Sequence, residues 1–239
     1  SSLMTFDADL NDKINIYRNE LLRLNIKLLG PDINYSKLNY GLGKSAEGTY
    51  YIRTGLCSIK NIGNKALISI VKERNCNGDF KNLLEFASRI GDSLLGKSHY
   101  ENLALSGSFN SINSNRKQTF KSAQILTDLS ISSSGDKSTK QENIFGDTID
   151  LSEIWKLPDI NDWSERDKLE NERISLGFYY SGHPLNYFEN ILEDLNIKDI
   201  GRVDFDTETL IDCVGVVVQV TERPSRNGRF AKVTISSLT

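Results

Sequence analysis

The chain has 239 residues, 38% of them hydrophobic and 26% charged, with a formal net charge of −3. This is the composition of a globular protein with room for more than one small domain, and it excludes a uniformly basic nucleic-acid-binding surface. No apolar run approaches membrane-spanning length, and the N-terminus lacks a basic-then-apolar signal pattern. Cys57, Cys76 and Cys213 are widely spaced and odd in number, which points to a reducing compartment. With only His99 and His183 beside them, they form no zinc constellation. Ser1-Ser-Leu-Met-Thr5 reads as the middle of something, so the chain is expected to be an excised piece.

Leu10, Ile14, Tyr17, Leu21 and Leu24 alternate in steps of four and three, the stripe of an amphipathic helix. Asp9 or Asn11 is expected to cap it, and Asn25 to take the left-handed position at its end. Ile26–Leu29 reads as a short strand stopped by Gly30-Pro31. Asp7-Ala-Asp9 places two carboxylates where Mg²⁺ is conceivable, but no third acidic strand is near, and a solvated cap is the better reading.

The stretch from Gly55 to Val71 organises the rest. Leu56, Ile59 and Ile62 predict one short helix, Gly63 the turn, and Ala66, Leu67, Ile70 and Val71 the apolar face of a second. This looks like a helix-hairpin-helix in which Asn61 replaces the usual first glycine, a substitution that tolerates the left-handed conformation. The free N–H groups at residues 63–65, flanked by Lys60 and Lys65, form an anion site suited to a DNA phosphate. The candidate DNA contacts are therefore Lys60, Asn61, Ile62, Gly63, Asn64 and Lys65, against the plainer reading of a packing corner.

Beyond the break at Asn77-Gly78-Asp79, Phe80, Leu83, Leu84 and Phe86 begin a helix that ends near Ile90-Gly91. A further helical segment has core positions at Leu95, Leu103 and Leu105 and stops at Ser106-Gly-Ser-Phe109. Asp79 is the one candidate for a base-excision glycosylase carboxylate, but its Asn-Gly-Asp setting is a turn, and that reading is rejected. His99 stands alone. Phe120, Ala123, Ile125 and Leu126 support a helix carrying Arg116, Lys117 and Lys121, a solvated face or a phosphate contact.

Ser132–Lys140 is small, polar and expected not to form a packed element. Gln141-Glu-Asn-Ile-Phe145 then sets two large apolar residues in this tract, a costly arrangement unless they dock in an apolar cleft. Residues 164–176 suggest a charged helix, and Phe188, Ile191, Leu192 and Leu195 another. In Leu176-Gly-Phe-Tyr-Tyr-Ser-Gly-His-Pro-Leu185, His183 has no neighbouring nucleophile or acid and reads as a structural corner. From Thr209 the period changes to that of strands, with a turn over Glu222–Gly228. Arg223, Arg226 and Arg229 around it are candidates for single-strand phosphate contact.

Pro31-Asp-Ile-Asn-x-Ser36, Gln141-x-x-Ile144-Phe145, the corner Gly107-Ser108-Phe109 and the Leu176–Leu185 stretch together resemble the bacterial DNA polymerase III alpha subunit. The resemblance implies a mainly α fold: the end of the fingers (1–54), a tandem helix-hairpin-helix domain (55–130), and a flexible segment (131–150). A helical connector (151–200) and the opening strands of an OB-fold domain (201–239) would follow. It implies duplex DNA, the sliding clamp and other polymerase subunits as partners, with Gln141, Ile144 and Phe145 the clamp contact; because a flexible peptide must be ordered, the affinity is expected to be modest, about micromolar. It also implies a bacterial cytoplasmic location and a segment without catalytic residues or cofactor, because the family's Mg²⁺-holding carboxylates lie upstream. The alternative is a self-contained helix-hairpin-helix DNA-binding or repair module.

Overall fold

The computed structural model describes residues 1–7, 10–91, 95–138, 155–203, 212–225 and 228–237. It is mainly α-helical and divides into two compact units, Ser1–Ser181 and Gly182–Thr239. The expected segment limits after residues 54, 130 and 150 all fall inside the first unit, and the expected connector spans the division.

The first unit opens with α1 (Ser2–Phe6) and α2 (Asn11–Arg23). Ile14 and Leu21 of the predicted stripe are buried, whereas Leu10 and Leu24 at its ends are half exposed. Leu10 rather than Asn11 occupies the N-cap position, without a side-chain cap; Asp9 lies outside the described residues. Asn25 takes the left-handed conformation (φ 57°) and turns the chain into β1 (Lys27–Leu29), as its short polar side chain permits. Asp7 is not a solvated cap. It is buried, accepting hydrogen bonds from Lys13 Nζ at 2.8 Å and Tyr17 Oη at 2.6 Å, and these partners hold its pKa below the usual carboxylate value.

A small sheet follows, of which the sequence announced only the first strand. β2 (Gly41–Lys44) and β3 (Tyr50–Arg53) form an antiparallel hairpin, and β1 joins β3 in parallel to give the order β1-β3-β2. Leu56 and Cys57 then donate backbone hydrogen bonds to the Lys37 and Leu38 carbonyls. Gly55 makes this approach feasible: a Cβ there would lie 2.4 Å from Leu38 O and Asn39 C.

The core of this unit is built by α3 (Asn64–Asn77), α4 (Leu83–Ile90), α5 (Lys97–Leu105), α6 (Arg116–Lys121), α7 (Ala123–Ser138) and α8 (Glu165–Leu176). Phe86 sits at its centre, edge-on to Phe80 (centroids 4.8 Å apart), Phe109 (5.0 Å) and Tyr100 (6.1 Å). Each such pair adds about 0.5–1.5 kcal/mol to simple burial. Asn82 caps α4 by accepting from Glu85 N, and His99 Nδ1 accepts from Gly96 N to secure α5. α7 extends through Ser138, where the polar composition predicted no packed element. Its early turns are anchored by buried Leu126, Leu129 and Ser130, and Ser132 satisfies its hydroxyl on the Leu129 carbonyl, so helix continues through the serines.

In the second unit, His183 is buried and its Nδ1 accepts from Leu185 N, capping the 3-10 turn Pro184–Phe188. Its Nε2 lies 3.1 Å from Ser236 Oγ, confirming a structural corner. The short helix α9 (Glu189–Asp194) follows, with Ile191, Leu195 and the preceding Phe188 exposed. β4 (Lys198–Asp199) pairs in parallel with β5 (Cys213–Val214). β6 (Val216–Ser225) pairs antiparallel with β7 (Gly228–Ser236), with a bulge between Val217 and Gln219.

Candidate nucleic-acid interface

Leu56, Ile59 and Ile62 are all buried, but the expected first helix is a single 3-10 turn, Leu56–Ser58. The bonds of Leu56 and Cys57 to residues 37 and 38 anchor the turn's first amides, and the backbone becomes extended at Ile59 (φ −80°, ψ 120°), which ends it. Ile59 and Ile62 are buried from the extended and left-handed backbone that follows this turn, not from a continuous helix face. Asn61 is the left-handed residue of the hairpin (φ 62°). Gly63, expected at the turn, is instead an extended N-cap of α3 (φ −70°, ψ 145°) with no side-chain cap.

Of the six candidate contacts, Ile62 is buried and belongs to the core, while Lys60, Asn61, Gly63, Asn64 and Lys65 are exposed together. Gly63 has a backbone conformation open to any residue, and a Cβ built on it would meet nothing within 4 Å. Among the described residues nothing therefore requires glycine here. By helix geometry the first N–H groups of α3 have no intrahelical acceptor, and they open at this exposed corner. Ala66, Leu67 and Ile70 fasten the helix behind it.

The C-terminal turn of α8 holds the corner from one side, where Lys60 N donates to Ser175 O at 2.8 Å. Partial desolvation, together with the neighbouring Arg173 charge, lowers the pKa of the exposed Lys60. α8 is fixed in turn by Glu172, which is fully buried. Its carboxylate accepts from Arg116 Nη1 at 3.0 Å, from Ser181 Oγ at 2.7 Å and from the backbone N–H groups of Tyr180 and Ser181. Arg116 therefore neither lines a solvated face nor reaches a phosphate: it is buried, also bonded to Tyr180 Oη and Asn110. No local pattern in the sequence marks Glu172, which lies 56 residues from its partner.

The second hairpin corner, Gly107-Ser108-Phe109, is buried. Gly107 is left-handed (φ 73°), and a Cβ there would meet the Arg116 guanidinium and Tyr180 Oη at 2.7 Å. This corner is filled by the protein's own side chains. Asp79 is an exposed turn residue whose carbonyl accepts from Arg89 Nη1.

Gln141, Ile144 and Phe145 lie outside the described residues, as does Arg226. Arg223 pairs with Phe230, and Pro224 with Arg229, so Arg223 and Arg229 project from opposite faces of the β6–β7 hairpin. The paired strands run to Ser225 and from Gly228. Among the described residues, no three His, Cys, Asp or Glu side chains gather to hold a metal ion, and no helix is long and apolar enough to cross a membrane.

A family described as the helix-hairpin-helix motif matches residues 25–119. The DNA polymerase III subunit alpha of Buchnera aphidicola (subspecies Acyrthosiphon pisum) is 33% identical over 233 residues, covering 95% of this chain and 20% of that protein. The same-named subunit of Mycobacterium tuberculosis is 30% identical over 100% of this chain and 20% of its own length. That of Caulobacter vibrioides is 30% identical over 99% of this chain and again 20% of the relative. Over nearly its whole length, then, this chain is similar to a segment amounting to about a fifth of the bacterial DNA polymerase III alpha subunits, the family that its sequence anchors resemble.

Proposed function

We propose that the chain is a non-catalytic segment of a bacterial replicative DNA polymerase, and that it grips the phosphates of duplex DNA at the N-terminus of α3. The observation that carries this reading is Gly63: exposed, conformationally unconstrained and unobstructed, in a corner with exposed Lys60 and Lys65. A glycine without an internal reason fits close approach by an external backbone. The N–H groups beyond it offer a phosphate directional donors without reading bases. Similarity along the chain to polymerase alpha subunits supports this over a stand-alone repair module. In the parent enzyme, template-directed synthesis would use carboxylates and Mg²⁺ outside this segment. Gln141, Ile144 and Phe145 would attach it to the sliding clamp, a role that rests on their sequence pattern alone.

Fluorescence anisotropy with a labelled duplex, over a series of salt concentrations, tests the grip. Gly63→Val, compatible with the extended backbone, is expected to weaken binding by about tenfold or more through loss of charge-assisted N–H contacts. Lys65→Gln is expected to reduce the salt-dependence slope by about 0.9, one phosphate contact. Unchanged affinity and slope in both variants would sink the assignment.

A further inference from the structure

One face of the small sheet is left partly open by the described residues. Opposite the buried Ile52, its register sets Lys27, Tyr51 and Gly43 in one row and Leu29, Arg53 and Gly41 in the next. None of the six is buried. The Arg53 guanidinium lies over two rings, 5.4 Å from the Tyr35 centroid and 5.8 Å from that of Tyr51. Tyr35 is 62% exposed. The Tyr51 ring is laid across the edge strand, where a Cβ on Gly43 would strike it at 2.3 Å, and beside Arg53 a Cβ on Gly41 would meet nothing within 4 Å. On this face the edge strand thus carries only glycines, Gly43 lying under the Tyr51 ring and Gly41 open beside Arg53.

We propose that this face binds a single-stranded segment of nucleic acid, its unpaired bases stacking on Tyr35 and Tyr51 and its phosphates meeting Arg53 and Lys27. Two π-faces beside two cations, with the carboxylate nearest Arg53, that of Asp32, buried and held by the Asn34 and Tyr35 N–H groups and Ser111, complement a polyanion of planar bases rather than an apolar peptide. Arg53 spends Nη1 on the Gly30 carbonyl at 3.3 Å, which orients the guanidinium and leaves other N–H groups for a phosphate. Duplex bases are already stacked on one another, so the occupant is an unpaired strand. Stacking without edge hydrogen bonds makes the recognition tolerant of sequence. That the strand is DNA rests on the function proposed above; the stacking face itself does not.

The test is anisotropy of the whole 239-residue chain with labelled oligothymidylate and with an abasic oligomer of equal length. Tyr35→Ala is expected to weaken oligothymidylate binding roughly tenfold, while Tyr35→Phe retains it. Neither should change the affinity for the abasic oligomer, and the exposure of Tyr35 means its melting temperature should hold. Arg53→Gln should weaken both oligomers. Arg223→Ser with Arg229→Ser should leave oligothymidylate binding in place, separating this face from the β6–β7 hairpin. Equal wild-type affinity for thymidylate and abasic strands, an unaltered Tyr35→Ala variant, or no single-strand binding at all would overturn the proposal. Duplex affinity, measured in parallel with Gly63→Val, reports on the α3 corner alone, so either reading can fail without the other.

Discussion

Glu172 and Arg116 show how much one buried pair decides. A carboxylate removed from water is costly unless every lone pair finds a partner, and Glu172 receives donors from Arg116, Ser181 and two backbone amides. Arg116→Met would leave that charge without its counter-ion and should cost about 3–5 kcal/mol, read as a lower urea midpoint. Gly55→Ala should be destabilising for a different reason, since the added methyl meets backbone rather than a mobile side chain, at about 1–3 kcal/mol. Asp162 supplies a pH test. Partial burial opposes its ionisation, but the Lys117 and Trp163 N–H groups and the Lys168 ammonium outweigh that and lower its pKa from 3.8. A depressed carboxylate stabilises the fold above its unfolded value and loses this contribution as pH falls through the folded one. The stability difference between wild type and Asp162→Asn, measured by urea melts, should therefore be constant above pH 3.8 and shrink on further acidification.

At the scale of elements, the hairpin is the instructive case. Its apolar residues were legible because burial of Leu56, Ile59 and Ile62 follows from their spacing, and Asn61 was legible because few residues accept positive φ. Asn61→Gly should keep both fold and duplex affinity, whereas Asn61→Val should lose about 1–2 kcal/mol in a thermal melt. The helix type was not legible. A 3-10 turn replaced an α-helix because the backbone is already extended at Ile59 (φ −80°, ψ 120°) and left-handed at Asn61, too soon for an α-helical ladder to close. β2 escaped notice for a related reason: Gly41-Leu-Gly-Lys44 has little strand propensity and is held by its register with β3. The serine-rich end of α7 was misread because composition predicts solubility of a segment, not whether a packed helix will propagate into it.

For the whole molecule, the contacts predict which pieces stand alone. The hairpin depends on residues 37–38 before it and on Ser175 after it, and Gly107 on Arg116 and Tyr180. Residues 55–130 expressed alone should therefore fail to melt cooperatively by circular dichroism, whereas residues 1–181 should melt in one transition and retain duplex binding. The sequence by itself determined the helical class, the principal breaks at Asn25, Gly78, Gly91 and Gly177, and the resemblance that the relatives bear out. These are local properties: hydrophobic period, left-handed tolerance and short motifs survive without knowledge of neighbours. Only the tertiary structure decided which charges are buried, which glycine is open to the outside and which face of the small sheet is uncovered. Each of those depends on chain segments far apart in sequence occupying the same space, and desolvation and close approach act only there.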